Sequence, residues 1–271
     1  MSVRPTAAAP ALPVRRIAAA SAVLLEEPRH GVPQTSEMLF GETFALLDRR
    51  DGWLKVENRT DGHVGWLPPG VETAAPAAPT HRLRGLKAGL HPAPTHKAVP
   101  VATLSLGSAV TVEGEENGWC AVGGGLWVFG GLLEPAAAPR DAVPVETAAR
   151  FLETPYVWGG RSAFGIDCSG LVQVAMAAAG TVTHHSSRQQ RDDGRLGPLV
   201  SADGHGVSYR RGDIVFFPGH VGIMLDEATL LHATVFTMSV TTEPLDAVAA
   251  RAGGITGVRR PDGGTAVERI A

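Results

Sequence analysis

Between residues 17 and 134 the apolar positions fall in short runs, such as Phe44-Ala45-Leu46-Leu47 and Val110-Thr111-Val112, broken by Gly, Asp and Asn. Runs of that length between turn formers predict strands of small β barrels, and no 3.6-residue periodicity competes with them. Beyond residue 140 the pattern changes. Val145, Ala148, Ala149 and Leu152 lie on one face of a helix that Asp141 can cap and Pro155 should end. From Ser169 to Ala179 the chain is apolar on several sides and stops at Gly180, which predicts a buried helix. Asp213–Phe217, Val221–Leu225 and Thr229–Ala233 are short apolar runs bounded by Gly, Pro or Asp, and read as core strands. Helices followed by a run of strands define an α+β unit.

The first half repeats itself. At an offset of 66 residues Leu24 aligns with Leu90, Pro28 with Pro94, Gly41 with Gly107, Gly52 with Gly118, Trp53 with Trp119 and Val56 with Val122. Each copy ends in a second Trp-containing strand, Val64-Gly65-Trp66-Leu67 or Leu126-Trp127-Val128-Phe129, and this order resembles bacterial SH3-like domains. Ala/Pro-rich breaks at 72–81 and 134–140 divide the chain. The predicted architecture is multidomain. It has a disordered tail at 1–16, SH3-like all-β barrels at 17–72 and 82–134, an α+β domain at 141–261, and a C-terminal tail at 262–271.

Composition excludes several classes. With 24 Lys+Arg against 27 Asp+Glu among 271 residues and no basic block, the chain lacks the electrostatic footprint of a nucleic-acid binder. No run reaches the roughly 18–20 apolar residues that span a bilayer. Arg15-Arg16 followed by Ile17–Leu25 imitates a signal peptide, but Glu26-Glu27-Pro28 follows at once and Leu24 belongs to the repeat, so the stretch reads as a strand. The expected location is therefore cytoplasmic, with export to the cell envelope as the alternative. The two cysteines, Cys120 and Cys168, fall in different units and suggest no disulfide framework. Cys120 aligns with Leu54 and reads as a buried apolar thiol.

Cys168 opens the predicted buried helix, where free amides and the helix dipole favour a thiolate and an oxyanion alike. Alone this is a weak signal. Its company is specific: Tyr156-Val157-Trp158-Gly159-Gly160, Asp167-Cys168-Ser169-Gly170-Leu171-Val172, Gly212-Asp213-Ile214-Val215-Phe216-Phe217, His220-Val221-Gly222-Ile223 and Leu231-His232-Ala233 occur in that order. Together they resemble the NlpC-type family of papain-like cell-wall cysteine peptidases over residues 141–261. The resemblance implies Cys168 as nucleophile, His220 as base and His232 as its orienting partner. An antiparallel pairing of the two His-bearing strands would bring those imidazoles together. It also places Tyr156 near the nucleophile and Asp167 and Ser169 against the substrate. Asp167 could otherwise merely cap the helix, and for Trp158 packing is preferred to substrate contact.

The family mostly cuts the γ-D-glutamyl to diamino acid bond of murein stem peptides, and members with paired SH3-like domains resemble recycling enzymes acting on short peptides. There an Arg-Asp-Ser string supplies a carboxylate for the free amine of L-Ala. This chain departs from it. His184-His185-Ser186-Ser187-Arg188-Gln189 puts His185 in the carboxylate's place with Ser186 beside it, on what reads as an exposed loop, and an imidazole does not attract an ammonium. No cofactor is expected. There is no His-Glu-x-x-His or Cys-x-x-Cys pair for zinc. A wall-binding protein led by its SH3-like modules, and a hydrolase of another amide or ester, remain the alternatives.

Overall fold

The structure is a computed structural model, and it describes residues 12–140 and 142–261. The first barrel is formed by β1 (Val14–Ile17), β2 (Ser21–Leu25), β3 (Gln34–Leu39), β4 (Thr43–Arg50), β5 (Trp53–Asn58), β6 (Val64–Leu67) and β7 (Thr73–Ala74), in the order β3-β2-β6-β5-β4-β1-β7. The second contains β8 (His81–Leu83), β9 (Lys87–Leu90), β10 (Ala102–Ser105), β11 (Ala109–Val110), β12 (Gly114–Glu116), β13 (Trp119–Ala121), β14 (Trp127–Phe129) and β15 (Leu133–Pro135). Its pairings form three short sheets, β10-β9, β11-β8-β15 and β12-β13-β14. The internal repeat is visible in the backbone. Gly41 and Gly107 turn at φ +80° and +89°, and Gly52 and Gly118 at +85° and +81°, the left-handed region that glycine enters without strain. Leu24, Leu90, Trp53, Trp119, Val56 and Val122 are buried at equivalent places.

Three expectations shift at the edges. Val14–Arg16, assigned to a disordered tail, form part of β1, because Val14 and Arg15 pair with Ala45 and Phe44. Residues 1–11 and 262–271 lie outside the described residues. Thr73–Ala74, placed in the first linker, pair with β1, and Glu134–Pro135, placed in the second, pair with β8.

The last unit comprises α1 (Pro144–Ala149), the short hairpin β16 (Arg161–Ser162) and β17 (Gly165–Ile166), α2 (Cys168–Ala178) and α3 (Ser187–Asp192). A six-stranded antiparallel sheet follows, of β18 (Leu199–Ser201), β19 (Ile214–Phe217), β20 (His220–Met224), β21 (Thr229–Thr234), β22 (Ser239–Pro244) and β23 (Gly257–Arg259), with α4 (Leu245–Ala252) between the last two strands. Asp141 lies outside the described residues. Val143 precedes α1 without a side-chain cap, and Pro144 supplies the preset φ of the first turn. Leu152 is exposed rather than on the helix's buried face, since α1 ends at Ala149 and the following turn aims Phe151 into the core instead.

The three units interlock. Phe40 of the first barrel enters the core of the second, and Leu106 of the second enters the core of the α+β unit. Arg161 on β16 reaches the first barrel: Nη2 and Nη1 donate to Glu42 at 2.8 and 3.2 Å, its amide donates to Glu37 Oε2 at 3.0 Å, and Asp61 lies 3.9 Å from Nη1. Burial pushes the Glu42 carboxyl above its ordinary range, with the Arg161 guanidinium pulling the other way. The first barrel is thereby tied to the segment that leads into α2.

Candidate active site

Asp167 is the N-cap of α2, with extended φ/ψ (−98°, 178°), so its carboxylate faces the amides that the first helical turn leaves unpaired. Oδ1 accepts from the Gly170 amide at 2.7 Å and the Ser169 hydroxyl at 3.0 Å, and Oδ2 accepts from the Gly159 amide at 2.8 Å. Burial favours the neutral acid, but the His185 hydrogen bond and charge, with the Gly170 and Gly159 amides, hold Asp167 below its ordinary range. These bonds fix the turn that presents Cys168, and Gly170 has no room for a side chain: a Cβ would lie 2.2 Å from the Gly160 carbonyl oxygen.

Cys168 is buried, and the amides of Val221, Ser169 and Cys168 itself favour its thiolate. They do not prevail. Burial, and then the Asp167 carboxylate, push the thiol up to about 12, so the helix-terminus argument for a resting thiolate is corrected. Burial, then the neighbouring His232 and Arg251, bring His220 down to about 4. Both shifts favour the uncharged forms, a thiol at Cys168 and a neutral imidazole at His220.

His220 begins β20 and His232 lies on β21. Their ring nitrogens meet, Nε2 of His220 to Nδ1 of His232, at 2.8 Å. The strands pair Ile223 with Leu231 and Met224 with Leu230, and continuing that register sets Gly222 opposite His232. His220 is then the diagonal neighbour of His232 on one face, within reach of an aromatic side chain. His232 Nε2 in turn lies 3.0 Å from Glu243 Oε2 on β22, and Arg251 of α4 donates to both Glu243 oxygens at 3.0 and 2.7 Å. Sequence reading missed Glu243 and Arg251. The only signal was strand alternation, since β21 and β22 pair His232 with Thr241 and leave Glu243 two residues along on the same face.

The other predicted residues part company. Tyr156 is buried near Cys168 and Asp167, and burial followed by the charges of both raises its phenol, which keeps it a neutral donor. Ser169 turns its hydroxyl inward to Asp167. Trp158 is 62% exposed, which overturns the packing reading. Ser186 precedes α3, is exposed, and makes no side-chain cap. His185 is buried rather than on an exposed loop: Nε2 lies 3.2 Å from Asp167 Oδ2 and Nδ1 3.1 Å from Gln173 Oε1. Gln173 Nε2 donates to Asp61 and to the Thr183 carbonyl, which fixes its oxygen toward His185. Both ring nitrogens of His185 therefore face protein oxygens inside the fold rather than an open amine-binding site.

A thiol at a helix start, an imidazole held by a second polar group and a capped entry turn define a papain-like cysteine peptidase, here behind paired SH3-like barrels. Residues 153–252 match the NlpC/P60 family and residues 24–70 the bacterial dipeptidyl-peptidase Sh3 domain. The chain therefore carries an NlpC/P60 domain and, ahead of it, that SH3 domain. It is 35% identical over 102 residues to dipeptidyl-peptidase 6 of Lysinibacillus sphaericus, covering 38% of this chain and 35% of that protein. It is 28% identical over 227 residues to the gamma-D-glutamyl-L-lysine dipeptidyl-peptidase of Bacillus subtilis, covering 73% and 71%. An NlpC/P60 family protein from Bacillus cereus shares the fold at a TM-score of 0.77 and 19% identity, over 91% of this chain and 99% of that one.

Proposed function

We propose that this protein hydrolyses the γ-D-glutamyl to diamino acid amide of short murein stem peptides through an acyl-enzyme on Cys168. The observation that carries the reading is the placement of Cys168 at the start of α2, with His220 hydrogen-bonded to His232 on the adjoining strands. His220 Nδ1 takes the thiol proton as the sulfur attacks the γ-carbonyl carbon. The oxyanion is received by the Cys168 amide, which has no helical carbonyl partner, and by the neutral Tyr156 hydroxyl. His220 then returns the proton to the leaving amine, and water releases the glutamyl product by the reverse sequence. The choice of bond is supported by the names of the Bacillus subtilis and Bacillus cereus relatives, gamma-D-glutamyl-L-lysine dipeptidyl-peptidases.

The test is mass spectrometry of products from a panel of L-Ala-γ-D-Glu-diamino acid peptides with free or blocked N-termini, using the wild type and Cys168→Ala. Cleavage at the γ-glutamyl bond, lost in Cys168→Ala with the fold retained, is expected. Equal turnover by the variant would sink the proposal. Because both His185 nitrogens are engaged, blocked peptides are expected to be cut as readily as free ones. Action on short recycled peptides puts the enzyme in the cytoplasm, and its recovery in an envelope fraction would count against that placement.

A further inference from the structure

The catalytic imidazoles end on a charged pair that the peptidase chemistry above does not use. His232 is fully buried, so its two ring nitrogens have only the protein to bond to, and they meet His220 Nε2 at 2.8 Å and Glu243 Oε2 at 3.0 Å. An ionised carboxylate has lone pairs and no proton to give. Arg251 keeps it ionised: the hydrogen bond from its guanidinium, against the opposing effect of burial, holds Glu243 below the usual carboxylate range. The nitrogen of His232 that faces Glu243 must therefore donate. A neutral imidazole has one N–H, so Nδ1 of His232 can only accept, and the nitrogen of His220 facing it must donate in turn. That leaves the lone pair of His220 on Nδ1.

We infer that Glu243, clamped by Arg251, is a positioning residue that sets the tautomer of His232 and, through it, leaves Nδ1 of His220 bare to accept the Cys168 proton. The inference rests on the reading of Cys168 and His220 as nucleophile and base. Burial lowers both imidazoles, which keeps each of them to a single ring proton. Without the carboxylate, His232 is free to turn its proton onto Nδ1. It then donates to His220 Nε2, and His220 carries its proton on the nitrogen that should receive the thiol's. Other groups also act on His220. Asp167 at the head of α2 and Glu243 favour its charged form, while His232 and Arg251 oppose it, and the Phe217 ring packs 5.8 Å away.

The experiment compares the full chain, Glu243→Leu and Glu243→Leu/Arg251→Leu, with Cys168→Ala as the reference. Turnover of the γ-D-glutamyl peptide is read together with ring-nitrogen NMR of the histidines. In Glu243→Leu, kcat should fall about 10- to 100-fold at nearly constant KM, by analogy with the loss of carboxylates that fix the tautomer of metal-ligating histidines. His220 should pass from its Nε2–H to its Nδ1–H form. The double variant strands no guanidinium and should show the same two changes if the single variant fails to fold. Unchanged His220 ring signals overturn the inference whatever the activity, and so does a kcat equal to wild type. A wild type that cleaves no γ-glutamyl peptide, or a Cys168→Ala variant that cleaves it as well, overturns the peptidase reading instead. The ring signals then still decide whether Glu243 sets the tautomer.

Discussion

Replacing Arg161 with Met removes the guanidinium that joins the first barrel to the entry of the catalytic helix, while keeping most of its apolar stem. Arg161 and Glu42 side chains are 6% and 8% exposed, so water does not replace the lost partner. Breaking a buried pair of this kind costs roughly 3–5 kcal/mol, because the surviving charge stays buried without its partner. Here the cost belongs at the lower end, about 3 kcal/mol, since Glu42 keeps the Leu39 amide at 3.0 Å and the Asn58 amide nitrogen at 3.4 Å. For a chain of this size that amounts to a melting point lower by about 6–12 °C. The loss depends on pH. With Arg161 gone, the Glu42 carboxyl rises further above its ordinary value of 4.5. Below that value Glu42 is neutral in both the folded and the unfolded chain, and the variant differs least from wild type. As pH rises from there through the raised value, the folded state must either hold a proton or bury a charge, and the penalty grows. Glu42→Gln/Arg161→Met, which removes both charges, should recover most of the stability. Thermal and urea unfolding of the three proteins at pH 5 and pH 8 measures this. A single variant as stable as wild type at pH 8 would refute the reasoning.

Other expectations follow from the same geometry. Iodoacetamide labelling mapped to Cys168 should rise about tenfold per pH unit from pH 6 to 9, as for a thiol far from ionised, and a plateau below pH 7 would contradict the burial argument. Tyr156→Phe keeps the ring and removes the donor, so kcat should fall about 10²- to 10³-fold with KM little changed; wild-type kcat would exclude the hydroxyl from the oxyanion site. Gly170→Ala forces a Cβ to within 2.2 Å of the Gly160 carbonyl oxygen and should abolish soluble folded protein, and a variant that melts like wild type would show that the turn can move aside.

Much of the strand pattern was legible because turn glycines and apolar runs are local signals. The predicted strand at Val64–Leu67 coincides with β6, and the runs near 213–217, 221–225 and 229–233 became β19, β20 and β21 with shifts of one residue. The buried helix opens at Cys168, as its position in the sequence implied, with Asp167 as its cap. The end of α1 was misjudged. Periodicity put Leu152 on the buried face, but the helix closes at Ala149 and the chain turns.

By itself the sequence determined the repeat, the strand-rich first half and the short strings around Cys168, His220 and His232, since each depends on residues close together in the chain. Only the tertiary structure decided the electrostatics. The rise of the Cys168 thiol comes from burial under elements remote in sequence, which no helix-terminus rule contains. Glu243 and Arg251 join the imidazoles through the register of β21 with β22 and the return of α4, and a register is fixed by packing across the sheet. His185, read as an exposed substitute for an amine-binding carboxylate, is held between Asp167 and Gln173 against the first barrel, whose His63 ring lies 6.1 Å away. Its place depends on how two units dock, and docking is set by surfaces that become neighbours only after each has folded.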